Sequence, residues 1–271
     1  MSKSVHSRFA RQRRGATGPS PAGQAGFTLV EMAVVLVIIG VILSAVMIGR
    51  DAQRNAEYLR IRQTFINQWA LAYNTYVQRM GGPIGDNIAA PTLMVNGANY
   101  GGILGGNLSG VTEPNAICEG TAGPRMTRAM QAGVSLRTLM LQAGIELPRG
   151  RGQGSEDRYV YLDTNGNPQE LQVCFQWNRP GTLSGSGNVM VITGLTPDLA
   201  RSLSASIKGN ASANTGDFRQ EGVTSGADGA GVAWQGDNTE AYSDGTGFAA
   251  GTAGTRDDQV RTVVAHYRMS Q

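Results

Sequence analysis

Gly26-Phe27-Thr28-Leu29-Val30-Glu31 begins the stretch that decides the fold of this 271-residue chain. The 20 residues from Leu29 to Ile48 are apolar or small except for Glu31, which is their only charged residue. At a rise of 1.5 Å per residue, a helix of that length spans about 30 Å, which matches the hydrocarbon core of a bilayer. The stretch therefore predicts a transmembrane helix with one carboxylate near its start.

Glu31 needs a physical explanation, because a charged side chain costs roughly 2.5–3.5 kcal/mol at the centre of a bilayer. In one interpretation the helix is an ordinary single-pass anchor, and Glu31 lies shallow enough to reach the lipid headgroups. In the other, Glu31 pairs with a partner group inside an apolar assembly. The apolar stretch alone does not distinguish the two.

The segment before the apolar stretch carries only positive charge. Residues 1–26 contain five basic and no acidic residues: Lys3, Arg8, Arg11, Arg13 and Arg14. Because basic segments beside a membrane helix stay cytoplasmic, we expect residues 1–26 to be a leader. An ordinary secretory signal would be cleaved after the apolar stretch, where Leu43-Ser44-Ala45 offers a poor site. Cleavage before the stretch fits better.

The basic leader, Gly26 and the residues after it resemble the N-terminal signal of type IV pilins and pseudopilins. The resemblance is carried by Phe27-Thr28-Leu29-Val30-Glu31 and then Met32-Ala33-Val34-Val35-Leu36-Val37-Ile38-Ile39-Gly40. It implies cleavage between Gly26 and Phe27 by a prepilin peptidase, followed by methylation of the new Phe27 amine. It covers roughly residues 20–80.

The same resemblance implies where the protein acts and which residues assemble it. Such proteins sit in the inner membrane with a periplasmic head, and polymerise with other pilin or pseudopilin subunits into a periplasmic or cell-surface filament. The carboxylate at the position of Glu31 pairs there with the N-terminal amine of a neighbouring subunit, which offsets the cost of the buried charge. Glu31 and Phe27 are thus the expected assembly residues.

The second part of the helix changes from apolar to amphipathic at Arg50. Aromatic and apolar residues recur on one face at spacings of three, four or seven: Tyr58, Phe65, Trp69, Tyr73, Tyr76 and Met80. On the other face, Asp51 with Arg54 and Glu57 with Arg60 can form ion pairs. The pattern predicts one helix over residues 27–80, with a transmembrane half (27–49) and an amphipathic half (50–80), ended by Gly81-Gly82-Pro83.

Residues 84–271 are expected to form an extracytoplasmic head domain of the α+β class, with an antiparallel sheet against the long helix. The 38 glycines of the chain predict large loops, above all at Ser225–Asp258. The predicted elements are one or two short helices within Met126–Ala143, a hairpin of Arg158–Leu162 and Glu170–Trp177, a strand at Val189–Thr193, a helix from Thr196 and Pro197 to about Ile207, and a strand at Val260–Met269.

Cys118 and Cys174 are the only cysteines. In an exported domain two such residues most simply form a disulfide, whereas free thiols or half of a metal site remain alternatives. After Cys174, 97 residues follow, while the disulfide of major pilins commonly brackets a C-terminal region. The resemblance therefore favours a minor pilin or a type II secretion pseudopilin. A membrane-anchored adhesin or ligand-binding tip protein is a further alternative.

One turn of the head has the composition of a calcium loop, Asp163-Thr164-Asn165-Gly166-Asn167. Its glycine is fourth rather than sixth, and the twelfth position holds Cys174 instead of glutamate. A plain hairpin turn is therefore favoured, and we expect no cofactor. Acidic residues of the glycine-rich loop are more simply solvated: Asp237, Asp244, Asp257 and Asp258.

Composition argues against an enzyme and against a nucleic-acid partner. No nucleophile elbow, metalloprotease helix or phosphate loop occurs, and the only histidines are His6 and His266. We therefore expect no catalytic residues. The net charge of +3 is misleading, because the five basic residues of the leader leave 18 basic against 20 acidic residues, or −2, after cleavage.

Overall fold

The computed structural model of the protein describes residues 28–106, 108, 111–120, 126, 128–223, 234 and 262–269. The leader, the cleavage site at Gly26 and Phe27, and the predicted Ser225–Asp258 loop apart from Trp234 lie outside these residues. The chain divides into two units, one ending at Gly49 and the other running from Arg50 to Gln271.

The long N-terminal helix is confirmed. Helix α1 (Leu29–Ile61) is followed by a π-helical turn (Arg62–Ile66) and by α2 (Asn67–Met80). Gly81 ends α2 in the left-handed region, at φ 76°, where glycine has no steric penalty. The π turn was not predicted; it lies where Phe65 and Ile66, neighbours in sequence, are both fully buried.

Within the described residues, the sheet of the second unit has five antiparallel strands. They are β1 (Arg158–Leu162), β2 (Pro168–Asn178), β3 (Gly187–Leu195), β4 (Phe218–Gln220) and β5 (Val263–Arg268), in the order β1-β2-β3-β5-β4. The predicted hairpin, third strand and last strand are confirmed, although residues 260 and 261 lie outside the described part. The three-residue β4 was not predicted, because so short a strand has no period of its own and exists only by pairing with β5.

The core of the second unit lies between the amphipathic half of the long helix and one face of the sheet. The predicted aromatic face is buried, with exposed fractions of 6% or less: Tyr58, Phe65, Trp69, Tyr73 and Tyr76. Tyr73 stacks on Phe175 of β2, with ring centroids 5.2 Å apart. The predicted ion pairs Asp51–Arg54 and Glu57–Arg60 are present on the opposite, solvated side.

Two predicted helix starts differ in detail from the structure. Only α3 (Leu136–Gln142) is helical within the described residues of Met126–Ala143, capped by the Ser135 hydroxyl. Before it, the backbone around Met130 pairs with Ala116 in a parallel bridge, so the described residues of this stretch hold one of the one or two predicted helices. Helix α4 (Pro197–Lys208) begins after Thr196, as predicted, but the Thr196 hydroxyl makes no capping hydrogen bond.

Candidate functional site

The candidate site is the start of α1, where Thr28 and Glu31 hydrogen-bond each other reciprocally. The Thr28 amide and hydroxyl donate to Glu31 Oε2 at 2.7 and 2.9 Å, and the Glu31 amide donates to Thr28 Oγ1 at 3.2 Å. Thr28 also accepts the first helical hydrogen bond, from the Met32 amide. This is a capping box, in which a threonine and a glutamate three residues later satisfy orphan donors of the first turn.

Thr28 was expected to matter only as part of the family signal, although its capping pattern can be read from the sequence. Thr28-Leu29-Val30-Glu31 is a threonine followed three residues later by glutamate, immediately before an apolar run. The capping box adds a contact to the explanation of Glu31. The hydrogen bonds from Thr28, within the same chain, offset part of the free-energy cost of the Glu31 charge.

The surroundings of Glu31 are apolar and uncovered. Every described residue from 28 to 49 is exposed, with Leu29 at 87% and Leu36 at 69%. The Ser44 hydroxyl donates to the Gly40 carbonyl at 2.9 Å, so this polar group is satisfied inside the helix. The long helix has an 18-residue window of mean hydropathy 2.9, which is apolar enough to cross a membrane. Such a surface requires lipid or other apolar helices around it.

Only one oxygen of the Glu31 carboxylate is occupied by the capping box. Within the described residues, both hydrogen bonds that the carboxylate accepts go to Oε2, and none goes to Oε1. A carboxylate offers about four acceptor positions, so Oε1 can still receive a cationic donor. Gly26 and Phe27, the predicted processing residues, lie outside the described part, so cleavage and methylation stay predictions.

The predicted disulfide between Cys118 and Cys174 is present, with Cα atoms 4.5 Å apart. It ties the segment of residues 111–120 to β2. A small apolar cluster surrounds it on the sheet face opposite the long helix: Ala116, Val189, Val191 and Val264. The disulfide therefore contributes to the stability of the second unit.

The Asp163 turn uses its carboxylate to hold itself together. Asp163 Oδ1 accepts the amides of Asn165 and Asn167, both at 2.8 Å, and Oδ2 accepts the side-chain amide of Gln169 at 3.0 Å. The favoured hairpin turn is therefore observed. Among the described residues, no group of three or more His, Cys, Asp or Glu side chains is placed to hold a metal. The aspartates at 237, 244, 257 and 258 lie outside this part.

His266 is a buried residue of β5. Its Nδ1 lies 2.9 Å from the side-chain nitrogen of Asn178. Burial, with a smaller contribution from the charge of Arg128, lowers the pKa of His266 to about 3. The ring is therefore neutral at physiological pH, and His266 is a packed core residue.

Asp157 is a buried carboxylate immediately before β1. It is 1% exposed, and its Oδ2 accepts the side-chain amide of Gln172 at 2.9 Å. Burial raises the pKa of Asp157 to about 6; the charge of Glu119 acts in the same direction, whereas the hydrogen bond from Gln172 and the charge of Arg158 oppose it. The neighbouring Glu156 carbonyl accepts the Trp69 indole N–H at 3.3 Å, so this charge lies close to the docked helix.

Comparison with known families identifies the start of the chain. Residues 21–47 match the prokaryotic N-terminal methylation motif, a span that includes Gly26, Phe27, Thr28 and Glu31. Comparisons with curated proteins and with solved structures find no match. The motif and the apolar helix after it are consistent with a type IV pilin-like protein, and they support a pilin or pseudopilin precursor with a single membrane anchor.

Proposed function

We propose that this pilin-like precursor is a structural subunit of a type IV pilus-like filament, in the role of a minor pilin. The leader, residues 1–26, is removed by a prepilin peptidase after Gly26, and the new Phe27 amine is methylated. Residues 27–49 then hold the subunit in the inner membrane, residues 50–80 dock the helix on the head, and residues 84–271 form that head in the periplasm. The subunit leaves the membrane by joining the filament through α1.

The observation that carries the proposal is a single carboxylate, Glu31, in an exposed apolar helix that begins inside a methylation motif. An anchor that only holds a head in lipid has no use for an acidic residue there, since the charge costs free energy. In a filament, the positively charged amine of a neighbouring Phe27 would approach Oε1. Pairing two charges inside the apolar filament offsets the cost of both.

A type II secretion pseudopilin is the second candidate, since processing, anchoring and Glu31 would serve it equally. The large head distinguishes both candidates from a bulk major pilin: 97 residues follow Cys174. Neighbouring genes separate them. A secretion ATPase with an outer-membrane secretin and exoprotein genes supports secretion, whereas a retraction ATPase with other pilin genes supports a pilus. A tip adhesin would be a special case of the pilus candidate.

The test replaces Glu31 by alanine or valine in cells that carry the chain's own assembly machinery. We expect both variants to be processed to Phe27 but to enter sheared filaments at least about tenfold less, since a loss of 1.4 kcal/mol in pairing already gives a tenfold change. Ser44→Ala is the matched control, because Ser44 bonds only within its own helix in the described structure. Wild-type incorporation of Glu31→Ala would refute the proposal.

A further inference from the structure

We infer that Thr28 is a positioning residue for assembly: it holds Oε2 of Glu31 so that Oε1 is presented to the amine of a neighbouring subunit. This inference rests on the proposed function, because it assigns Thr28 a role through Glu31. The three hydrogen bonds between Thr28 and Glu31 are its geometric basis.

The capping box restricts a side chain that would otherwise be mobile. A free glutamate samples several rotamers, and fixing them costs entropy at the moment of pairing. Two donors from one residue, the Thr28 amide and hydroxyl, converge on a single oxygen at 2.7 and 2.9 Å. The carboxylate is thereby fixed before a partner arrives, which favours association by preorganisation.

The same hydrogen bonds stabilise the ionised Glu31 carboxylate in an apolar environment before it pairs with another subunit. Hydrogen bonds to an ionised group are about twice as strong as those between neutral groups. Within residues 28–49 of the described chain, Thr28 supplies every hydrogen bond that the Glu31 carboxylate accepts. Because the Thr28 amide follows the proposed cleavage point, cutting after Gly26 leaves both donors intact.

A purely structural cap predicts different behaviour from a positioning residue. If the Thr28 hydroxyl only stabilises the first turn of α1, its removal has the same effect whether or not residue 31 is charged. If Thr28 acts through the Glu31 carboxylate, its removal has no further effect once that charge is gone. A double-mutant cycle between the two residues separates these outcomes.

The experiment compares Thr28→Val, Thr28→Ala, Thr28→Ser, Glu31→Gln and the double variant Thr28→Val/Glu31→Gln in cells with the native assembly machinery. Incorporation into sheared filaments is divided by the amount of membrane subunit that begins at Phe27, so differences in processing cancel. We expect Thr28→Ser, which keeps the hydroxyl, to stay within about twofold of wild type. Thr28→Val and Thr28→Ala should fall about three- to tenfold, and the double variant should equal Glu31→Gln alone.

Two results would overturn the inference while leaving the proposed function intact. One is wild-type incorporation of Thr28→Val together with failure of Glu31→Gln. The other is an equal loss from Thr28→Val in the wild-type and the Glu31→Gln backgrounds, which would make Thr28 a helix cap only. Wild-type incorporation of Glu31→Gln would instead count against both the inference and the role proposed for the charge.

Discussion

The two halves of the long helix both carry apolar residues and use them in opposite ways. In the first half, residues 29–49, every side chain is exposed, including Leu36 at 69%. In the second half, residues 50–80, most large apolar side chains lie on one face and are buried, with Phe65 and Tyr73 at 0%. The fold of the second unit thus needs the second half, whereas the first half leaves its apolar surface uncovered, as the proposed membrane anchoring and assembly require.

The charged residues also differ between the two halves of the long helix. In the first half the only charge, Glu31, is held by the helix's own start. The second half carries many charges, some paired along the helix and some reaching the head: Tyr159 donates to Glu57 at 3.4 Å, and Arg79 donates to the Gly144 carbonyl at 2.6 Å. Breaking contacts in the second half should therefore change the stability of the head, and changes in the first half should change assembly alone.

The largest effect on stability is expected from Tyr73→Ala. This change removes a buried ring stacked on Phe175 and leaves a cavity, so the free energy of unfolding should fall by about 3–4 kcal/mol. Urea unfolding of the mature protein in detergent, followed by tryptophan fluorescence, measures it. Leu36→Ala, in the exposed half, is the matched control and should change this value by less than about 0.5 kcal/mol. Equal losses from both variants would contradict the division.

Asp157→Asn tests the buried charge beside the docked helix. Because the native pKa, about 6, is higher than the ordinary value of 3.8, the folded protein binds the proton more tightly than the unfolded chain. Its stability should therefore rise as the pH falls from about 6 to about 4. Asp157→Asn should remove this contribution and stabilise the protein at pH 7 by about 2 kcal/mol.

The measurement is the free energy of unfolding at a series of pH values from about 4 to about 8, in wild type and variant. Asp198→Asn is a suitable control, since Asp198 is a half-exposed carboxylate that pairs with Arg201 on α4. At pH 7 it should lower the free energy of unfolding by less than about 1 kcal/mol, because partly exposed ion pairs contribute little, whereas Asp157→Asn should raise it. A slope that persists in Asp157→Asn would show that another group titrates there.

Arg79→Met should give the smallest effect. Arg79 Nη1 donates to the carbonyls of Gly144 and Ala143. These hydrogen bonds connect the C-terminal end of α2 to the residues that follow α3. Methionine keeps much of the apolar stem and loses the donor, and the free energy of unfolding should fall by about 1 kcal/mol. Arg60→Met is the control, because Arg60 pairs with Glu57 within the helix at 3.6 Å. The same urea measurement should show a change of only a few tenths of a kcal/mol there.

Sequence patterns predicted the elements that local rules determine. The apolar run, the aromatic spacing and Gly81 defined the long helix, and the turn residues after Asp163 defined the β1–β2 hairpin. The sequence did not show the strand order, β4 or the burial of Asp157, because these depend on residues far apart in the chain, such as Glu119 and Gln172. Glu31 could be read as a candidate from its charge alone. The capping pattern from Thr28 to Glu31 was also readable, whereas the convergence of both Thr28 donors on one carboxylate oxygen is seen only in the structure.

The most direct test of the central claim is the mass of the N-terminal peptide from the membrane fraction of cells that make the protein. The account predicts a mature chain that begins at Phe27 with one methyl group on its amine, and whose inclusion in filaments depends on Glu31. An N-terminus at Met1, or one created after Ala45, would contradict it, since the apolar helix would then be an ordinary anchor or a removed secretory signal.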